Sequence, residues 1–149
     1  MATAGCYMLV LFLPKDALLA VGRLGNFRLE TGYYAYVGSA RGPGGLPARL
    51  ARHLRKRKKP HWHVDYLLEH ASIVEIWQAS SSERLECPWA RAVLALPGAQ
   101  VSVPGFGSSD CSCHAHLAYL APLSLRALRS QLQALGATAW DRLGAVSET

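Results

Sequence analysis

The chain has 149 residues, enough for one substantial hydrophobic core and too few to expect two. Half of its residues are hydrophobic and 17% are charged, which excludes a disordered chain and a long coiled coil. Sixteen Lys and Arg against ten Asp and Glu leave a net charge of +6, a balance that attracts polyanions.

The opening Met-Ala-Thr-Ala-Gly carries no basic stretch, and the apolar run Cys6 to Leu13 is too short to cross a bilayer. Neither a signal peptide nor a membrane segment is expected. Four cysteines, three of them late in the chain, do not resemble a secreted disulfide framework, so a reducing, cytoplasmic setting is expected.

Cys6 to Leu13 is apolar at odd and even positions alike, the pattern of a central strand covered on both faces, and Pro14 ends it. Val21 to Thr31, with Gly22, Gly25 and Asn26, reads as a turn between short extended pieces. A tyrosine-rich strand, Gly32 to Ser39, follows. Arg41-Gly-Pro-Gly-Gly breaks regular structure, and Leu46, Leu50 and Leu54 then mark one face of a helix from Leu46 to Lys58. Pro60 suits the first turn of a further helix. Ser72 to Gln78 alternates as a strand, with Ile73, Glu75 and Trp77 expected on one face. A helix is expected from about Glu83 to Leu96, stopped by Pro97-Gly98. Gly105 to His114 is loop-like, Ala115 to Leu120 suits a short strand, and Leu125, Leu128, Leu132 and Leu135 mark an amphipathic helix. A single domain over 1–136 with a loosely ordered tail over 137–149 is the expected organisation.

Tyr7 and Tyr36 stand in Gly-Cys-Tyr and Tyr-Val-Gly contexts on two strands, where pairing would bring their phenols together. Arg49 and His53 lie four apart on the predicted helix and project in one direction. Such a group suits phosphodiester cleavage: an arginine fork for phosphate oxygens, a proton-accepting tyrosine or histidine, and a carboxylate, Glu86, for Mg²⁺ or Mn²⁺. The basic residues Arg41, Arg52, Arg55, Lys56, Arg57, Lys58 and Lys59, with Ser39 and His61 beside them, are candidate nucleic-acid contacts. A solvated helix end is the bland alternative for that run.

Gly5-Cys6-Tyr7, Tyr36-Val37-Gly38-Ser39-Ala40, Leu46-Pro-Ala-Arg49-Leu50 and Glu86 resemble, in order and context, the GIY-YIG nuclease superfamily. More closely, Gly-Tyr-Tyr-Ala-Tyr-Val-Gly-Ser-Ala, Trp-His-Val-Asp-Tyr-Leu and Gly-Phe-Gly-Ser-Ser-Asp-Cys-Ser-Cys are similar to a GIY-YIG-like subfamily, domain of unknown function 123. The resemblance implies an α+β fold, a small antiparallel sheet of about three strands flanked by helices, and metal-dependent hydrolysis of DNA. It implies Tyr7 as base or water-positioning group, Tyr36 as its support, Arg49 as stabiliser of phosphorane charge, and Glu86 as Mg²⁺ ligand. His53 falls where some members place His or Tyr. The sequence departs from the pattern in its longer glycine loop before Arg49 and in lacking a late asparagine, for which Ser109 or Asp110 is the nearest substitute.

Two other readings stand beside the nuclease. One is a nucleic-acid-binding module without turnover. The other is a zinc-stabilised protein-interaction domain built on Cys87, Cys111, Cys113, His114 and His116, which have the softness for Zn²⁺ but not the usual finger spacing.

Overall fold

The computed structural model describes residues 3–56, 58–107, 113 and 115–139. Arg57, Ser109, Asp110, Cys111 and His114 lie outside the described residues. The chain forms β1 (Gly5–Leu13), β2 (Ala17–Val21), β3 (Gly25–Leu29), β4 (Gly32–Ala40), α1 (Gly45–Leu54), α2 (His63–Leu68), β5 (Ser72–Ser80), α3 (Glu86–Leu94), β6 (Leu117–Leu120), α4 (Pro122–Ala134) and β7 (Thr138–Ala139).

The aliphatic run of β1 makes it the middle of an antiparallel sheet ordered β6-β4-β1-β5-β7. The sheet therefore has five strands where about three were expected. β6 adds to the free edge of β4 through Leu117 to Leu120, and β7 pairs only Thr138 and Ala139 with β5. β2 and β3 form a separate hairpin, so the glycine-marked segment contains paired strands around a single 3-10 turn over Gly22–Leu24.

Alternation along β1 divides the core into two layers. Tyr7, Leu9 and Leu11 face one way, packed with Tyr34 and Tyr36 of β4, Leu46 and Leu50 of α1, Val64 and Leu67 of α2, and the hairpin's Leu19, Val21 and Leu29. Cys6, Met8 and Val10 face the other way, packed with Trp89, Ala90 and Val93 of α3 and Leu128 and Leu132 of α4. Each fully buried aliphatic side chain contributes about 1.5–3 kcal/mol, so β1 is stabilised from both sides.

The strand β5 departs from simple alternation. Val10 pairs with Glu75 but Leu11 pairs with Ile73, so Val74 is an extra residue and forms a bulge. In consequence Ile73 packs with the Tyr7 layer and Trp77 with the Cys6 layer, not on one face as the period-2 pattern predicts. Glu75 accepts hydrogen bonds from Trp77 Nε1 and Arg129 of α4, which ties that helix to the bulged strand.

Two helices are shorter than their apolar spacing predicts. α1 stops at Leu54, and Arg55 is extended (ψ 130°). Continuing the helix would stack Arg55 to Lys59 against one another; instead Lys58 Nζ donates to the carbonyls of His53 and Arg55, which the helix end leaves open. α2 starts at His63 rather than at Pro60, because Asp65 accepts from the backbone N–H groups of His61 and Trp62 and fixes the entry there. No helix among the described residues is long and apolar enough to cross a membrane.

Candidate functional site

Tyr7 on β1 lies directly opposite Gly38 on β4. A Cβ at Gly38 would stand 2.3 Å from the Tyr7 Oη and 2.4 Å from Cζ, so the bare glycine is what lets the phenol lie across the neighbouring strand. The Gly of Tyr-Val-Gly is thus the seat of the Tyr of Gly-Cys-Tyr. The ring centroids of Tyr7 and Tyr36 are 6.5 Å apart, as the sequence contexts predict.

Over these rings lies α1, held there by Leu46 and Leu50. It brings His53 Nε2 to 2.6 Å from Tyr7 Oη, with both side chains buried. Burial, the largest influence, pushes His53 down to about 3 despite the opposing pull of Asp65, so the imidazole is neutral at physiological pH. Burial likewise pushes the Tyr7 phenol well above its usual range, with Tyr36 adding to the shift and Arg49 opposing it. Tyr36 is pushed up to about 12, again chiefly by burial. His53 Nδ1 has no hydrogen-bond partner among the described residues.

One turn back on α1, Arg49 donates from Nη1 to the Ser39 carbonyl at 2.8 Å, and its charge opposes the upward shift of Tyr7. Its guanidinium sits 4.0 Å from the Trp62 ring centroid, and that of Arg52 sits 4.2 Å from the same ring. Arg52 is fixed in turn by Asp65 at 3.0 Å, a carboxylate almost wholly buried at the start of α2. Arg49, Arg52 and Trp62 wall a groove of 260 Å³ with Ala40, Gly42, Pro43, Gly45, Ala48 and Arg55. Three arginines and a tryptophan line it, and among the described residues no carboxylate does. Trp62 and Asp65 belong to the Trp-His-Val-Asp-Tyr-Leu string that carries the subfamily resemblance.

The remaining basic candidates spread outward from this groove. Arg41, Lys56, Lys59 and His61 are exposed, and Lys58 is half-buried on the end of α1. Asp65, not Glu86, is the carboxylate that acts electrostatically on Tyr36 and His53.

Glu86 begins α3, which packs in the other core layer, and its electrostatic neighbours are Cys6 and His116. Its Oε2 is buried and meets no hydrogen-bond donor among the described residues. Beside it, Cys87 Sγ is 3.8 Å from His116 Nε2, and the ligand atoms of Cys87, Cys113 and His116 all lie within 4.8 Å of one another. Burial holds His116 below its usual range, with Glu86 opposing.

The two groups meet at Gly107. Its N–H donates to His63 Nδ1 at 2.7 Å, and a Cβ there would stand 3.0 Å from the Tyr36 ring and 3.2 Å from the His116 Cβ, at a φ of +71°. Phe106, packed edge-on against Tyr36, accepts the His116 N–H on its carbonyl.

Neither the curated proteins nor the solved structures compared with this chain gave a match. The family described as "Domain of unknown function DUF123" matches residues 6–137, a span that runs from β1 to the threshold of β7 and takes in both groups of residues. The protein therefore belongs to the DUF123 family.

Proposed function

We propose that this protein is an endonuclease of GIY-YIG type that hydrolyses nucleic-acid phosphodiester bonds, with DNA the foremost substrate. The observation that carries the reading is the place of Arg49, which lines the arginine groove and, one helical turn from His53, acts electrostatically on the buried Tyr7–His53 pair. A phosphate drawn into the groove meets Arg49, Arg52 and Arg55, while the exposed Arg41, Lys56 and Lys59 track the neighbouring backbone. Trp62 offers a ring to an unstacked base.

In this reading Arg49 stabilises charge as it develops on the phosphorane. Tyr7 orients the attacking water and accepts its proton while passing its own to the neutral Nε2 of His53, so that no isolated phenolate forms in the buried site. Of the described residues, Glu86 would hold Mg²⁺ or Mn²⁺, because its buried Oε2 is a hard oxygen that meets no donor among the described residues. When bound, such an ion would supply electrostatic stabilisation to the leaving oxygen.

A second reading, a nucleic-acid-binding module without turnover, is favoured by the burial of Tyr7 at 0% and His53 at 2% exposure, which leaves water little access to either.

The test is incubation of purified protein with supercoiled plasmid, branched DNA and structured RNA in Mg²⁺ or Mn²⁺, beside Arg49→Ala and Glu86→Ala. Cleavage lost in both variants supports the nuclease. Salt-sensitive binding that survives Glu86→Ala, without cleavage by the parent, supports the binding module.

A further inference from the structure

We propose that Cys87, Cys113 and His116 form a structural Zn²⁺ site that ties the start of α3 to the segment leading into β6. Three soft or borderline ligands from two distant parts of the chain converge there, with all three ligand atoms within 4.8 Å. Zn–S bonds of about 2.3 Å and Zn–N bonds of about 2.0 Å at a tetrahedral angle separate sulfur from nitrogen by about 3.5 Å. The Cys87 Sγ to His116 Nε2 distance of 3.8 Å is within a small adjustment of that figure.

Backbone hydrogen bonds hold the histidine ligand in place. His116 is fixed on both sides of its peptide, its N–H donating to Phe106 O at 2.7 Å and its carbonyl accepting from Val37 N at 2.9 Å. Cys87 is the second residue of α3, so the helix fixes its backbone. A side chain at Gly107 would crowd the His116 Cβ, since an added Cβ would stand 3.2 Å from it. Thiolate and imidazole donors select zinc over Mg²⁺.

The ion would therefore brace the wall behind Tyr36 without touching the groove. Its presence does not depend on the nuclease reading, because a binding module with the same fold needs the same brace.

The test is metal analysis of the purified full chain, followed by chelation and reloading with Co²⁺. The expected result is one zinc per chain and, after reloading, a tetrahedral Co²⁺ spectrum with thiolate charge-transfer bands. Cys87→Ser and Cys113→Ser should each lose the charge-transfer intensity in proportion to the thiolate removed, and Arg49→Ala should keep the full spectrum. A folded parent protein that takes up neither Zn²⁺ nor Co²⁺ at micromolar concentration overturns the site. So does a cobalt spectrum without thiolate bands, or one that Cys87→Ser and Cys113→Ser leave unchanged.

Discussion

Tyr7 Oη and His53 Nε2 lie 2.6 Å apart, joining the first strand to the first helix across 46 residues of chain. Removing only that hydroxyl, in Tyr7→Phe, keeps the ring's packing against Gly38 and Tyr36. The expected cost is about 1 kcal/mol of stability, read from urea unfolding. If the pair moves a proton in catalysis, cleavage falls by about a hundredfold or more while DNA binding in a filter or anisotropy assay stays unchanged.

Gly38→Ala tests the same pair from the opposite strand. The added methyl would overlap the Tyr7 ring, which is enclosed and has nowhere to retreat. Overpacking of this kind costs about 1–3 kcal/mol, and the shift of Tyr7 away from His53 should show as a perturbed His53 ring resonance in NMR. An unchanged melting temperature with an unchanged resonance would contradict the seat assigned to Gly38.

Asp65 holds Arg52, and through its backbone acceptors it holds the approach of His61 and Trp62. Asp65→Ala leaves Arg52 without its carboxylate and the backbone donors of His61 and Trp62 without their acceptor. The expected loss is about 3 kcal/mol in chemical denaturation. Arg52→Ala should cost less, because two backbone donors still satisfy Asp65.

The neutral His53 makes stability pH-dependent in a defined direction. Its folded value of about 3 lies below the unfolded value of 6.5, so in that window the unfolded chain binds the extra proton. Stability is fully present above pH 6.5 and falls as the pH drops towards 3, by about 1.4 kcal/mol per unit where the difference is complete. Asp65, held below the usual carboxylate range by Arg52 and the two backbone donors, adds a loss in the same direction at lower pH still. Urea midpoints between pH 7 and 4 should slope accordingly for the parent and flatten in His53→Gln.

Binding of nucleic acid should respond to the groove. Arg49→Ala and Arg55→Ala are each expected to lower the slope of log affinity against log salt by about 0.9 on duplex DNA, as one phosphate contact is lost. Trp62→Ala should weaken single-stranded binding by about 1–3 kcal/mol and duplex binding less. Equal losses on both substrates would argue against a stacking role for Trp62.

Much of this arrangement was legible from residue pattern. The unbroken apolarity of β1 announced a strand with neighbours on both sides, and the tyrosine contexts foretold the Tyr7–Tyr36 proximity. The four-residue spacing of Arg49 and His53 placed both on one face of α1. What sequence period does not carry is which side of a sheet a helix chooses, and α3 packs in the layer opposite Tyr7. Period also fails at a bulge: Val74 leaves no mark in the alternation of its neighbours, yet it turns Ile73 and Trp77 to opposite faces. β7 is too short to have any period, and the nearness of Cys87 to Cys113 and His116 is a product of tertiary packing alone.

The central place of β1 has a consequence for how the protein is made. This strand leaves the ribosome before either partner, and its register extends to Ala40 on one side and to Ser80 on the other. Until β5 has been synthesised, the most apolar strand of the molecule has at least one open hydrogen-bonding edge, the condition under which nascent strands associate with one another. Folding yield during translation should therefore depend on how quickly the ribosome delivers residues 41–80, and a pause inside that stretch should favour aggregation more than a pause beyond it.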